Sequence, residues 1–212
     1  MSPKEVLEFA KNNGAVQVDL RFTDLPGLTH HISYPISQLD EAAFEEGFGF
    51  DGSSIRGWAV IHESDILLMP DATTIFMDPF AAQPTLVMLA DVVDPITRQH
   101  YERDPRWIAK KAEMYLKSTG VADTAYFGAE AEFFIFDNIC FDQNEHSGFY
   151  FIDAEEGRWN SGRRENNLGY RPRYKEGYFP VPPTDHYQEL RTEMILTMIR
   201  CGLEIECHHH EV

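Results

Sequence analysis

Hydrophobic and polar positions alternate through residues 15–23, AVQVDLRFT, and again through LTHHISY at 28–34, with Asp24, Leu25, Pro26 and Gly27 between them. A period of two turns one side of a strand toward a core, and Pro-Gly in the connection favours a turn, so the pair predicts a β-hairpin. Strand-like runs recur at ILLMP (66–70), TIFM (74–77) and TLVMLADVV (85–93), closed by the turn dipeptide Asp94-Pro95. MSPKEVLEFAKNNG opens the chain as a short helix start, and a second helix is predicted near Gln38–Glu46. The period then changes. Asp104 offers an N-cap, Pro105 suits the first helical position, and WIAKKAEMYLKS runs on to Gly120, placed to stop the helix. The pattern predicts a strand-rich domain over 14–98 and a second domain over 104–212, divided between Arg98 and Asp104.

In the second block, YFGAEAEFFIF (126–136) carries Glu130 and Glu132 two residues apart in an aromatic run. Phe134 and Phe136 continue their face, and Ala129, Ala131, Phe133 and Ile135 form the other, which predicts a buried strand rather than a solvated edge. Two like charges in a low dielectric must raise one pKa, find basic partners or bind metal. His208, His209, His210 and Glu211 add ligating side chains at the other end, and together the two clusters predict a divalent-metal site. A tag would also supply adjacent histidines, but these end in Glu-Val and follow LEIEC.

Between the clusters a polar stretch from Asn144 to Phe179 predicts a functional or mobile loop. Its Arg158, Arg163, Arg164, Arg171 and Arg173 either pair with phosphate or carboxylate or are neutralised by the loop's own glutamates. Thr184 and Asp185 are predicted to cap a helix running to about Arg200, with Gly202 as its stop and LEIECHHH (203–210) as a strand. Strict alternation sets Glu204, Glu206, His208 and His210 on one face and Glu211 on the other, so spacing alone does not decide which of them bind.

A formal net charge of −17 makes nucleic acid and anionic membrane surfaces poor partners. No apolar run approaches a bilayer span, and the N-terminus lacks the apolar region and cleavage site of a signal peptide, which predicts a cytoplasmic protein. Cys140, Cys201 and Cys207 lack metal-ligand spacing and are predicted to be small buried hydrophobes in a reducing compartment.

Five landmarks in order, GFDGSSIRGW (49–58), HESDILLMPD (62–71), GAEAEFFIFD (128–137), GYFPVPPTD (177–185) and ECHHHEV (206–212), resemble the N-terminal part of bacterial type I glutamine synthetases over nearly the whole chain. The resemblance implies an α+β chain: a small β-grasp domain, then the first part of a catalytic α/β domain with an antiparallel sheet. It also implies active sites between subunits of a dodecamer built from two hexameric rings. It assigns Glu132 and Glu211 to one divalent ion and Glu130 to a second, with Mg²⁺ or Mn²⁺ as the metal and ATP as co-substrate. By the same resemblance Glu206 contacts nucleotide, while Tyr178, Glu211, Asp51 and Ser54 line the ammonium pocket. Asp51 would reach the adjacent subunit's site, bind ammonium and accept its proton, and Trp58 and Asp65 match the same intersubunit region.

The activity so implied joins ammonia to L-glutamate, giving L-glutamine, ADP and phosphate through γ-glutamyl phosphate. Family members continue beyond the position of Val212 with further metal ligands, substrate-binding arginines and a mobile flap, so the 212-residue polypeptide alone is expected to be inactive. Two other readings stand: a non-catalytic relative or fragment acting in assembly or in nucleotide or metal binding, and a ligase joining glutamate to another amine.

Overall fold

The computed structural model describes residues 1–58, 64–160 and 169–212, which form two compact units, Met1–Phe127 and Gly128–Val212. Among the described residues no helix is long and apolar enough to cross a membrane.

The first unit is built on a mixed sheet. α1 (Pro3–Asn12) opens it, with a reciprocal cap in which the Ser2 hydroxyl accepts from the Glu5 amide and the Glu5 carboxylate accepts from the Ser2 amide. β1 (Gln17–Thr23) and β2 (Thr29–Pro35) form the predicted antiparallel hairpin, from Gln17 opposite Pro35 to Thr23 opposite Thr29. Asp24 shapes the turn, accepting the Leu28 amide at 2.8 Å, while Gly27 takes a φ of 94° that a side chain would disfavour. α2 (Ala43–Glu46), β3 (Phe48–Asp51), β4 (Asp65–Pro70), β5 (Phe76–Met77) and β6 (Thr85–Val93) follow. The strand order is β2-β1-β6-β4-β3, with β5 also pairing β6; β1 runs parallel to β6 and the other pairs are antiparallel.

Alternation divides the two faces of this sheet. Val18, Leu20, Phe22, Ile66, Leu68, Leu86, Met88, Ala90 and Val92 join Val6 and Ala10 of α1 in one core. Asp19 points the other way, yet is only 3% exposed, because Arg21, His31 and Ser33 surround its carboxylate. α3 (Pro105–Thr119) has the predicted ends: Asp104 caps the Arg106 amide, Pro105 opens the helix, and Gly120 closes it at φ 69°. Arg106 ties α3 to Asp71 and Asp91, and Lys110 adds a second bond to Asp91.

Two elements of this unit differ from expectation. The helix predicted over Gln38–Glu46 is reduced to Ala43–Glu46 after a 3-10 turn at Ile36–Gln38, since Asp40 accepts the Ala43 amide and starts the helix late. The strand β3, whose Phe48 and Phe50 alternate with Gly49 and Asp51, was not anticipated.

In the second unit β7 (Asn138–Gln143) and β8 (Gly148–Asp153) make an antiparallel hairpin, and α4 covers Gln188–Arg200. The stretch read as a loop from Asn144 therefore contains a strand. Its tight turn is organised by the Asn144 side-chain oxygen, which accepts from the His146 and Ser147 amides. Neither 126–136 nor 203–210 is a strand, because no described segment offers either of them a ladder, and a strand requires a partner for its amides and carbonyls. Phe134 and Phe136 nonetheless share a face, their rings parallel at 5.9 Å. α4 starts later than predicted: Thr184 and Asp185 do not cap it, and Asp185 instead binds Arg191 at 2.5 Å. Cys140 and Cys207 are exposed and Cys201 half-buried, which corrects their assignment to the core.

Candidate functional site

In the second unit the three consecutive histidines take three different jobs, set by what each ring meets. His208 docks on α4: the Arg191 Nε–H donates to its Nδ1 at 3.3 Å, and its Nε2 lies 3.4 Å from the Thr192 hydroxyl. His210 turns into the unit, its Nε2 2.8 Å from a Glu156 oxygen and its Nδ1 2.7 Å from the Gly177 carbonyl and 2.8 Å from that of Glu211. All three neighbours are acceptors, an arrangement that favours hydrogen on both ring nitrogens. Burial pulls its pKa down, but the Glu156 carboxylate and the two carbonyls outweigh that and hold it above the ordinary histidine value.

His209 stands between two of the predicted metal ligands. Its Nδ1 is 3.4 Å from a Glu211 oxygen and its Nε2 4.0 Å from a Glu130 oxygen. Tyr178 and Phe179 stack at 4.0 Å and meet the same imidazole edge-on, at 5.6 and 4.5 Å between centroids. The structure thus brings together Glu130, Glu211 and Tyr178, through a residue for which spacing had suggested no separate role. Glu132 and Glu206 are exposed and outside this network. Glu130 is itself 74% exposed at its side chain, so the expectation of two carboxylates buried on one strand face is corrected. With no ladder to enclose that segment, water solvates both charges.

Carboxylate oxygens and an imidazole are donors that suit Mg²⁺ or Mn²⁺. Among the described residues, however, no three His, Cys, Asp or Glu groups gather closely enough to hold an ion, because the His209 ring separates the two carboxylates. The donor types fit a hard divalent cation.

A second carboxylate layer lies behind the histidines. Glu155 accepts from His186 Nε2 at 2.5 Å, and Glu156 accepts the His186 backbone amide at 3.0 Å. The buried Tyr187 hydroxyl has no hydrogen-bond partner among the described residues; burial, with Asp137, Glu156 and Glu155 nearby, pushes its pKa up to about 12. Glu155, Glu156 and His186 were missed in the sequence, where two adjacent glutamates in a polar stretch give no signal of inward direction.

Of the candidate arginines, Arg171 is buried and Arg173 lies 3.9 Å from Glu176, while Arg163 and Arg164 lie outside the described residues.

In the first unit Asp51 ends β3 opposite Asp65 and caps a 3-10 turn at Gly52–Ser54. Its Oδ1 accepts the Ser53 amide at 2.9 Å and the Ser53 hydroxyl at 2.6 Å, and its Oδ2 the Ser54 hydroxyl at 3.2 Å. The Ser53 bonds lower the Asp51 pKa and keep an exposed anion beside a second carboxylate. Trp58 is 3% exposed and packs against Phe22, Phe50 and Tyr101, an anchor for this turn.

Comparison with known proteins fits both units. Residues 14–95 match the family model "Glutamine synthetase, beta-Grasp domain", and 102–212 match "Glutamine synthetase, catalytic domain". Glutamine synthetase of Methylococcus capsulatus is 55% identical over 214 residues, covering 100% of this chain and 46% of that protein. The Microchaete diplosiphon protein of the same name is 52% identical, over 100% of this chain and 45% of its own length. The chain therefore spans less than half the length of these relatives. A cryo-electron-microscopy structure of Plasmodium falciparum glutamine synthetase superposes with a TM-score of 0.83 at 22% identity, over 100% of this chain and 42% of that one, a likeness of fold. The fold is a β-grasp domain followed by a portion of a catalytic domain, and the chain belongs to the glutamine synthetase family.

Proposed function

We propose that this chain contributes to ATP-dependent ligation of ammonia to L-glutamate, and that the meeting of Glu130, Glu211 and Tyr178 at His209 is the observation that carries this reading. Glu130, Glu132 and Glu211 would hold divalent ions, and Glu206 would contact the nucleotide. Mg²⁺ or Mn²⁺ held there would supply charge neutralisation for the phosphates of ATP.

This chain's residues do the positioning. The exposed Tyr178 ring and the Glu211 carboxylate both meet His209, and a π system with a carboxylate is a combination suited to ammonium. Asp51, held anionic by the Ser53 bonds and facing Asp65, would attract ammonium at the adjacent subunit's site; the bonds that make it a good electrostatic partner also make it a weaker base. Glu211, which meets the same imidazole as Tyr178, is a second candidate to take the ammonium proton. Domains of 14–98 and 104–212, assembly as two hexameric rings and a cytoplasmic setting complete the proposal. The 212-residue polypeptide alone is inactive in this reading, since its described residues bring together fewer donors than an ion requires.

The test is a chimera in which this chain replaces the matching 46% of the Methylococcus capsulatus protein. ATP-dependent glutamine formation that falls at least a hundredfold in Glu130→Ala and Glu211→Ala supports the proposal. A folded, correctly assembled chimera without glutamine formation, or one indifferent to both substitutions, refutes it.

A further inference from the structure

We infer that Glu156 is a positioning residue for the Glu211–Tyr178 site, acting through His210; this rests on the reading of Glu211 as a metal ligand. One Glu156 oxygen accepts the His186 backbone amide at 3.0 Å, just before α4, and the other binds His210 Nε2 at 2.8 Å. The far side of the same ring bonds the carbonyls of Gly177 and Glu211. One imidazole therefore ties the entrance of α4 to the two segments that carry Tyr178 and Glu211.

Two further observations show how closely these segments are held. The Phe179 amide donates to the His210 carbonyl at 3.3 Å, one residue on from Tyr178. At Gly177 an added Cβ would stand 2.7 Å from the Glu211 carbonyl oxygen and 3.0 Å from that of Val212, so only glycine permits the approach. Among the described residues Glu156 makes its hydrogen bonds to His186 and His210 rather than to His209, Glu130 or Tyr178. Its effect on them passes through His210.

Glu156→Gln and Glu156→Ala separate positioning from charge. A glutamine keeps a carbonyl for the His186 amide and offers its NH₂ to a neutral His210 Nε2, while Nδ1–H still donates to Gly177. An alanine keeps none of this. Amide hydrogen exchange at Phe179 in the 212-residue chain reads the clamp without metal. Exchange should rise at least tenfold in Glu156→Ala and stay within about threefold in Glu156→Gln. Gly177→Ala should raise it comparably with Glu156 intact, which covers the case in which Glu156→Ala does not fold.

Mn²⁺ binding to the assembled chimera carrying the same substitutions, followed by electron paramagnetic resonance, then reads the consequence: about tenfold weaker in Glu156→Ala, unchanged within twofold in Glu156→Gln. Unaltered exchange in Glu156→Ala, or faster exchange with unaltered Mn²⁺ affinity, overturns the positioning role. Clamped exchange behaviour in the 212-residue chain, together with an assembled chimera that binds no Mn²⁺, refutes the metal assignment of Glu211, and with it the role proposed for Glu156 toward that metal.

Discussion

The Arg103 guanidinium donates to the Trp58 carbonyl at 2.6 Å and, from the same nitrogen, to the Gly57 carbonyl at 2.5 Å. The turn after Asp51 is thus held at its far end by a charged donor from beyond β6, while the Trp58 ring is buried beneath it. Arg103→Ala removes both bonds and should cost about 1–3 kcal/mol. Exchange at the Ile55 and Trp58 amides, which close turns onto Gly52 and Ile55, should accelerate before global unfolding.

Gly52 controls the near end of the same turn. A Cβ there would stand 2.2 Å from Ile66 Cδ1 and 2.8 Å from Cγ1, against a side chain buried in the core. Gly52→Ala should destabilise the first unit by about 1–3 kcal/mol. Combined with Ile66→Ala the two penalties should fall short of their sum, a coupling that a denaturation double-mutant cycle measures.

Asp104 is 1% exposed and serves two backbone amides, Arg106 at the start of α3 and Val92 in β6. Asp104→Ala leaves both without that acceptor and should cost about 2–3 kcal/mol. Asp104→Asn keeps one acceptor oxygen and should cost less. Urea denaturation of the first unit orders the two variants.

Two groups give the protein opposite pH dependences. Burial raises the Asp19 pKa, but bonds from Ser33, His31 and Arg21 outweigh it and hold the group below the ordinary value of 3.8. Its stabilisation is therefore present above that value and is lost as pH falls through the lowered one. His210 has a raised pKa, so its contribution is full below 6.5 and is lost as pH rises through the folded value. Asp19→Asn should flatten the acid limb for the first unit. Glu156→Gln should flatten the alkaline limb for the second, both read by stability against pH.

The first unit was legible because its signals were local. Alternation marked β1 and β2, apolar strand-like runs marked β4 and β6, and Asp104, Pro105 and Gly120 marked both ends of α3. β3 escaped because four residues with two glycine or aspartate positions carry little alternation. In the second unit the apolar run at 126–136 has the composition of a buried strand, but composition does not supply the neighbour that strand pairing requires. The histidine cluster was legible as chemistry and not as geometry. Which ring faces Glu156 or Arg191 depends on segments more than fifteen residues away.

Among the described residues β6 is the only strand that connects the β2–β1 pair with the β4–β3 pair, and it is the last of the six in chain order. On a ribosome both pairs therefore emerge with an open edge and wait for the same nine residues, Thr85–Val93, to join them. Until that segment leaves the exit tunnel the nascent domain is two separate ribbons. A stall before residue 93 would offer unsatisfied edges to chaperones or to another nascent copy.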